Sequence, residues 1–198
     1  MKRMKKVILF GDSITAGYLA GEVTPLLRDL VEQDLEAQDF TDFEVISAGV
    51  PGETTREGLA RIEDHVVKYD PAYVTIFFGI NDLATDKLVP IDEYEENLRK
   101  MIEMVGAEKV ILITPPYVTS KKQPERPVER ILAYGEKVHE LSKEYGTPII
   151  DMYHHMTLYP GSDEFVQEDG LHFSEWGYEF LAALIINALK VKMAESGE

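Results

Sequence analysis

A chain of 198 residues, 44% hydrophobic and 28% charged, has enough apolar content for the core of one domain spanning residues 1–198. Acidic residues outnumber basic ones 36 to 20, giving a formal charge of −16 that argues against nucleic acid and anionic membrane surfaces as partners. The sequence has no cysteine, which excludes disulfides, thiolate metal sites and a cysteine nucleophile, and permits a reducing compartment.

The N-terminus, Met1-Lys2-Arg3-Met4-Lys5-Lys6, is basic like the start of a signal peptide. The apolar run behind it, Val7 to Phe10, is too short for a secretory core and reads instead as a first strand. No other segment approaches membrane-spanning length, so the expected location is cytoplasmic, without membrane insertion.

Four apolar residues in a row suit a strand buried on both faces, as in a parallel sheet. The run ends in the turn Gly11-Asp12-Ser13-Ile14-Thr15. A helix follows, capped by Thr24 with Pro25 at its first position, where a missing N–H costs nothing; Leu26, Leu27, Leu30, Val31 and Leu35 form its apolar face. Phe43 to Ile46 make a short strand ending in Ser47-Ala48-Gly49-Val50-Pro51-Gly52, and Leu59, Ile62, Val66 and Val67 predict a helix from Thr54 to Tyr69.

Tyr73 to Phe78 form the third strand, ending in Gly79-Ile80-Asn81-Asp82. A helix from about Asp92 to Val105 stops at Gly106, expected to be a left-handed cap. Val110 to Ile113 are the fourth strand. The proline-rich loop from Pro115 to Pro127 is long for an α/β connection, which suits a functional segment at the sheet edge. A helix from Val128 to Tyr145, the short strand Ile149-Ile150, a loop bearing Tyr153, His154 and His155, and a helix after Ser174 complete the chain.

Strands alternating with helices predict an α/β fold, a three-layer sandwich with a flavodoxin-like five-stranded parallel sheet in the order 2-1-3-4-5 and helices on both faces. The first three strands then end on one edge, bringing together Ser13, Gly49 and Asn81: a hydroxyl, an approachable backbone amide and a carboxamide. Acyl transfer at a serine needs a base for its proton and donors for the developing oxyanion. Donors are available at the Ser13 N–H, the Gly49 N–H and the Asn81 side chain. His65 and His139 sit inside helical patterns, and His154 and His155 share a loop. His172 lies in Asp169-Gly170-Leu171-His172-Phe173-Ser174, where an Asp three residues ahead can fold back to the imidazole. Each of these features also has a local reading: a turn at Gly-Asp-Ser, a turn at Asn81, an Asp–His pair capping a helix.

Gly11-Asp12-Ser13, Gly49, Gly79-Ile80-Asn81-Asp82 and Asp169-Gly170-Leu171-His172, in that order and at wide spacing, resemble the four blocks of the SGNH (GDSL) hydrolases across residues 7–190. The chain is similar in size to the family's short bacterial lipase/acylhydrolases and isoamyl-acetate-type esterases. The resemblance implies hydrolysis of small-molecule esters with no metal or cofactor. Ser13 would be nucleophile and first oxyanion donor, Gly49 and Asn81 the other donors, His172 the base and Asp169 its partner. Two positions depart from the family pattern: Ile14 stands in place of Leu, and Ser47 where many members carry Asn two residues before the second-block glycine.

Asp12 reads as a turn and helix-terminus residue, and Phe173, Trp176 and Tyr178 beside His172 as core packing, with a wall of the substrate pocket as the alternative. A metal-dependent hydrolase built on Asp12, Asp151, His154, His155, Asp169 and His172 is the rival enzyme, although no His-x-x-x-His spacing supports it. A non-catalytic binding module on the same sheet is the third reading, without either glycine-rich phosphate-loop motif after strand one.

Overall fold

The computed structural model describes residues 4–158 and 160–196. Met1, Lys2 and Arg3 of the basic lead lie outside them. The strands are β1 (Lys5–Gly11), β2 (Tyr18–Leu19), β3 (Glu22–Val23), β4 (Phe43–Gly49), β5 (Tyr73–Phe77), β6 (Val110–Ile113) and β7 (Ile149–Ile150). The α-helices are α1 (Ser13–Ala16), α2 (Leu26–Ala37), α3 (Thr55–His65), α4 (Ile91–Val105), α5 (Val128–Tyr145), α6 (Met152–Thr157) and α7 (Glu175–Ser196).

Five strands form one parallel sheet in the order β4-β1-β5-β6-β7, which is 2-1-3-4-5 when its members are counted along the chain. The central strand is explained by its sequence: Val7, Ile8, Leu9 and Phe10 are all fully buried. The β1-to-β4 crossover runs one way along the sheet and the later crossovers run the other. Right-handed connections therefore send α2 to one face and α3, α4 and α5 to the other. The packing agrees, with α2 on α7, α3 on α4, and α4 on α5. In α7, Tyr178, Leu181, Ala182, Ile185, Ile186, Leu189 and Met193 are buried at helical spacing. No described helix is long and apolar enough to cross a membrane.

Five expectations need correction. Between Ser13 and α2 the chain makes the one-turn helix α1 and the β2–β3 hairpin; Pro25 then precedes α2, whose first amide, Leu26 N, reaches the Thr24 hydroxyl at 3.4 Å. The helix expected from Thr54 to Tyr69 stops at His65, and a 3-10 turn covers Val67–Tyr69, because Val66 leaves helical geometry (φ −131°) while its side chain stays buried. Gly106 closes α4 at φ +96° but with ψ 120°, outside the left-handed helical well. His154 and His155 lie on α6, not a loop, because the Asp151 carboxylate accepts the His154 N–H at 3.0 Å and caps that helix. Phe173 and Tyr178 are core residues as expected, whereas Trp176 is 50% exposed, its ring against Phe165.

Candidate active site

Ser13 is the first residue of α1, held just beyond the end of β1. The Asp12 carboxylate caps this helix, accepting the Ile14 N–H at 3.0 Å, and Gly17 ends it in a left-handed conformation. This sharp strand-to-helix turn fits only because Gly49 faces it: a Cβ there would stand 2.2 Å from Ala16 N and 2.6 Å from Thr15 C, both backbone atoms. Ser47, at the position that departs from the family pattern, donates its hydroxyl to the Thr15 carbonyl at 3.2 Å and so fastens the same turn.

The turn before α7 meets Ser13 from the far end of the sequence. His172 Nε2 lies 3.0 Å from Ser13 Oγ, and His172 Nδ1 lies 2.6 Å from Asp169 Oδ2. Asp169 Oδ1 accepts the backbone N–H groups of Leu171 (2.9 Å) and His172 (3.0 Å). Burial pushes the Asp169 carboxyl up, but the bonds from the His172 ring and these two amides outweigh it and hold the group below its ordinary value. An ionised carboxylate only accepts, so Nδ1 carries the ring proton and Nε2 presents its lone pair to Ser13 Oγ.

Asn81 follows Gly79, which is at φ +131° and where a Cβ would stand 2.7 Å from Pro115 Cγ. Asn81 Nδ2 donates to the Glu53 carbonyl at 3.0 Å, with Asp12 Oδ2 at 3.4 Å. Two buried carboxyls sit behind it. Burial drives Asp12 up to about 7; Asp82 adds to the rise, while the Ile14 amide and Arg126 oppose it. Burial likewise drives Asp82 up to about 6 against bonds from the Thr55 hydroxyl and amide. Asp82 Oδ2 has no hydrogen-bond partner among the described residues.

The structure thus gathers Ser13, Gly49, Asn81, Asp169 and His172 on one sheet edge. It does not gather the rival metal donors: Asp151 pairs with His139 at 2.9 Å and caps α6, away from the Asp169–His172 pair. Among the described residues, no group of three or more His, Cys, Asp or Glu side chains is placed to hold a metal ion.

Tyr18 and Gln167 lie at the site and were not foreseen. The Tyr18 ring packs on the His172 imidazole with centroids 4.3 Å apart. Gln167 Nε2 donates to the carbonyls of Tyr18 (3.0 Å) and Phe173 (2.9 Å), and its Oε1 accepts the Ala20 N–H (3.0 Å), tying the β2–β3 hairpin to the His172 turn. No periodicity marks either residue; an aromatic beside the Gly17 turn was the only available signal.

Residues 9–180 match the GDSL-like lipase/acylhydrolase family. A crystal structure of the lipase/acylhydrolase from Enterococcus faecalis superposes with a TM-score of 0.91 at 49% identity, covering 96% of both chains. The acetylxylan esterase of Geobacillus stearothermophilus is 29% identical, with 97% of each chain covered. The isoamyl acetate-hydrolyzing esterase 1 homolog of Mus musculus is 30% identical, covering 89% of this chain and 78% of its own. With its family match covering most of its length, this chain belongs to the GDSL-like lipase/acylhydrolase family, and it is a carboxylic ester hydrolase acting on small-molecule esters.

Proposed function

We propose that ester hydrolysis proceeds through an acyl-enzyme at Ser13. The observation that carries this reading is the unbroken line from Ser13 Oγ to His172 Nε2 (3.0 Å) and from Nδ1 to the Asp169 carboxylate (2.6 Å). His172 takes the Ser13 proton as Oγ bonds to the ester carbonyl carbon. The carbonyl electrons move onto oxygen, which receives hydrogen bonds from the N–H groups of Ser13 and Gly49 and from Asn81 Nδ2. Collapse breaks the bond to the leaving alcohol, which departs with the proton from His172. Water then repeats the sequence through the same base and releases the acid and free Ser13. Asp169 orients the imidazole and stabilises its charged form.

Two relatives are named for acetate esters, so short acyl esters are the proposed substrate class. The test is hydrolysis of p-nitrophenyl acetate and butyrate by the wild type and by Ser13→Ala and His172→Ala, each with and without EDTA. The expected result is EDTA-insensitive activity that falls on the order of 10⁴–10⁶-fold in either variant. Asp169→Ala loses less than His172→Ala. Covalent labelling of the wild type, but not of Ser13→Ala, by a fluorophosphonate identifies the nucleophile. Full activity in Ser13→Ala would overturn the assignment.

A further inference from the structure

The segment between β6 and α5 approaches both halves of the site. On one side, Thr119 N donates to the Gly170 carbonyl at 2.9 Å and Lys122 Nζ to the Glu168 carbonyl at 2.7 Å. A Cβ on Gly170 (φ +74°) would stand 2.9 Å from both Thr119 Cβ and Lys122 Cβ, so the Asp169 turn lies directly against this segment. On the other side, Thr85 N donates to the Glu125 carbonyl at 3.0 Å, four residues beyond Asn81.

Two side chains complete a bridge between these halves. Gln123 Nε2 donates to the Asp169 carbonyl at 2.8 Å, and Gln123 Oε1 accepts from Arg126 Nη1 at 2.5 Å. Arg126 Nε donates to the Ile80 carbonyl at 3.0 Å, one residue before Asn81. The chemistry of the partners fixes the Gln123 amide: a carbonyl accepts only and a guanidinium donates only, so neither end can be reversed. Arg126 is buried, its charge paired with Glu125, and its planar fork spans Gln123 and Ile80 at once.

We infer that Gln123 and Arg126 are positioning residues that hold the Asp169–His172 turn in register with the Asn81 turn. The need for such a device is physical. The Asp169 turn belongs to no strand of the main sheet, and the Asp169 side chain is 42% exposed. Asn81 sits on the β5-to-β6 crossover, 88 positions earlier by its residue number, whereas the Asp169 turn follows the last strand. Catalysis requires base and oxyanion donors to be correct relative to one carbonyl group, and a displacement of ~1 Å can cost about 10²-fold. The bridge joins the two turns through their main-chain carbonyls, outside the Ser13–His172–Asp169 line. This inference rests on the Ser13 acyl-enzyme reading above.

The test uses Gln123→Met, which keeps the length of the side chain and removes both bonds, Arg126→Lys, which keeps the charge and loses the fork, and the double variant. Hydrolysis of p-nitrophenyl acetate is measured alongside wild type and Ser13→Ala, with far-UV circular dichroism to establish folding. Each single variant is expected to lower kcat about 10–100-fold with KM changed less than about threefold. The double variant should be no worse than the weaker single, because either change opens the same bridge. Multiplicative losses, a loss confined to KM, or Gln123→Met within about twofold of wild-type kcat would overturn the inference. If Arg126→Lys does not fold, the kcat-against-KM result for Gln123→Met decides alone. An inactive Ser13→Ala beside a fully active Gln123→Met removes only this inference; an active Ser13→Ala removes it together with the nucleophile assignment.

Discussion

Asp12 should weaken the fold as pH rises through neutrality, the reverse of what a salt-bridged carboxylate does. Its side chain is buried, and that burial lifts its titration from an ordinary value of 3.8 to about 7. Between those values the folded protein keeps a proton that the unfolded chain has released. The stability linked to this group is therefore full below 3.8, declines with rising pH, and levels off above about 7. At ~1.36 kcal/mol per pH unit, the stretch from pH 5.5 to 7 is worth about 2 kcal/mol. Asp82, lifted to about 6, changes stability in the same direction but adds less than about 1 kcal/mol in this range. Carboxyls held low, such as Asp169, contribute in the opposite sense only at more acidic pH. Asp12→Asn removes the charge while its side-chain oxygen still accepts the Ile14 N–H, at the expense of an amide facing Asn81 Nδ2. Urea unfolding at pH 5.5 and pH 8.0 reads the difference. The wild type should lose roughly 3 kcal/mol between the two, and the variant roughly 1. Equal losses would show that Asp12 is ionised throughout and that burial does not govern its proton.

Asn81→Ala should lower kcat for p-nitrophenyl acetate by about 10²–10³, with a smaller change in KM, if its amide acts on the transition state. Gly49→Ala places a methyl group against the Thr15–Ala16 backbone, which has no side-chain freedom to yield. Thermal unfolding should show it destabilised by at least about 1–3 kcal/mol, with esterase activity falling too, because the backbone that must move carries Ser13.

The sheet and the five candidate site residues were legible because each depends on a short local signal. β1 is readable from four consecutive buried apolar residues, and its neighbours' glycine-bearing ends mark the edge where Ser13, Gly49 and Asn81 meet. Asp169 and His172 are readable because a three-residue separation closes within one turn. What escaped depends on contacts between distant segments or on backbone geometry that side-chain periodicity does not report. Val66 keeps its place on the apolar face while its backbone leaves the helix, so the pattern runs on through a real break. α6 forms around His154 and His155 because a carboxylate on the residue after β7 caps it. Tyr18 reaches His172 because Gln167 and the Tyr178 hydroxyl, about 150 and 160 positions later, both hold its carbonyl.

This division follows from how the site is assembled. The groups proposed to move protons or hold the oxyanion lie at strand ends and in one tight turn, where residue type is set by chemistry and by close backbone approach. The groups that keep those turns in register are polar side chains on connecting segments, each bonded to a carbonyl of some other segment. A glutamine or arginine bonded to a carbonyl leaves the carbonyl's own residue free in type, so no motif records the pairing. Gln123 is bonded to Asp169 and Arg126 to Ile80 through main-chain oxygens alone. A relative could therefore conserve the geometry with different residues in this segment, or lose it with the four blocks intact. Activity in this family should consequently vary with the connecting loops even where the nucleophile, base and donors are the same.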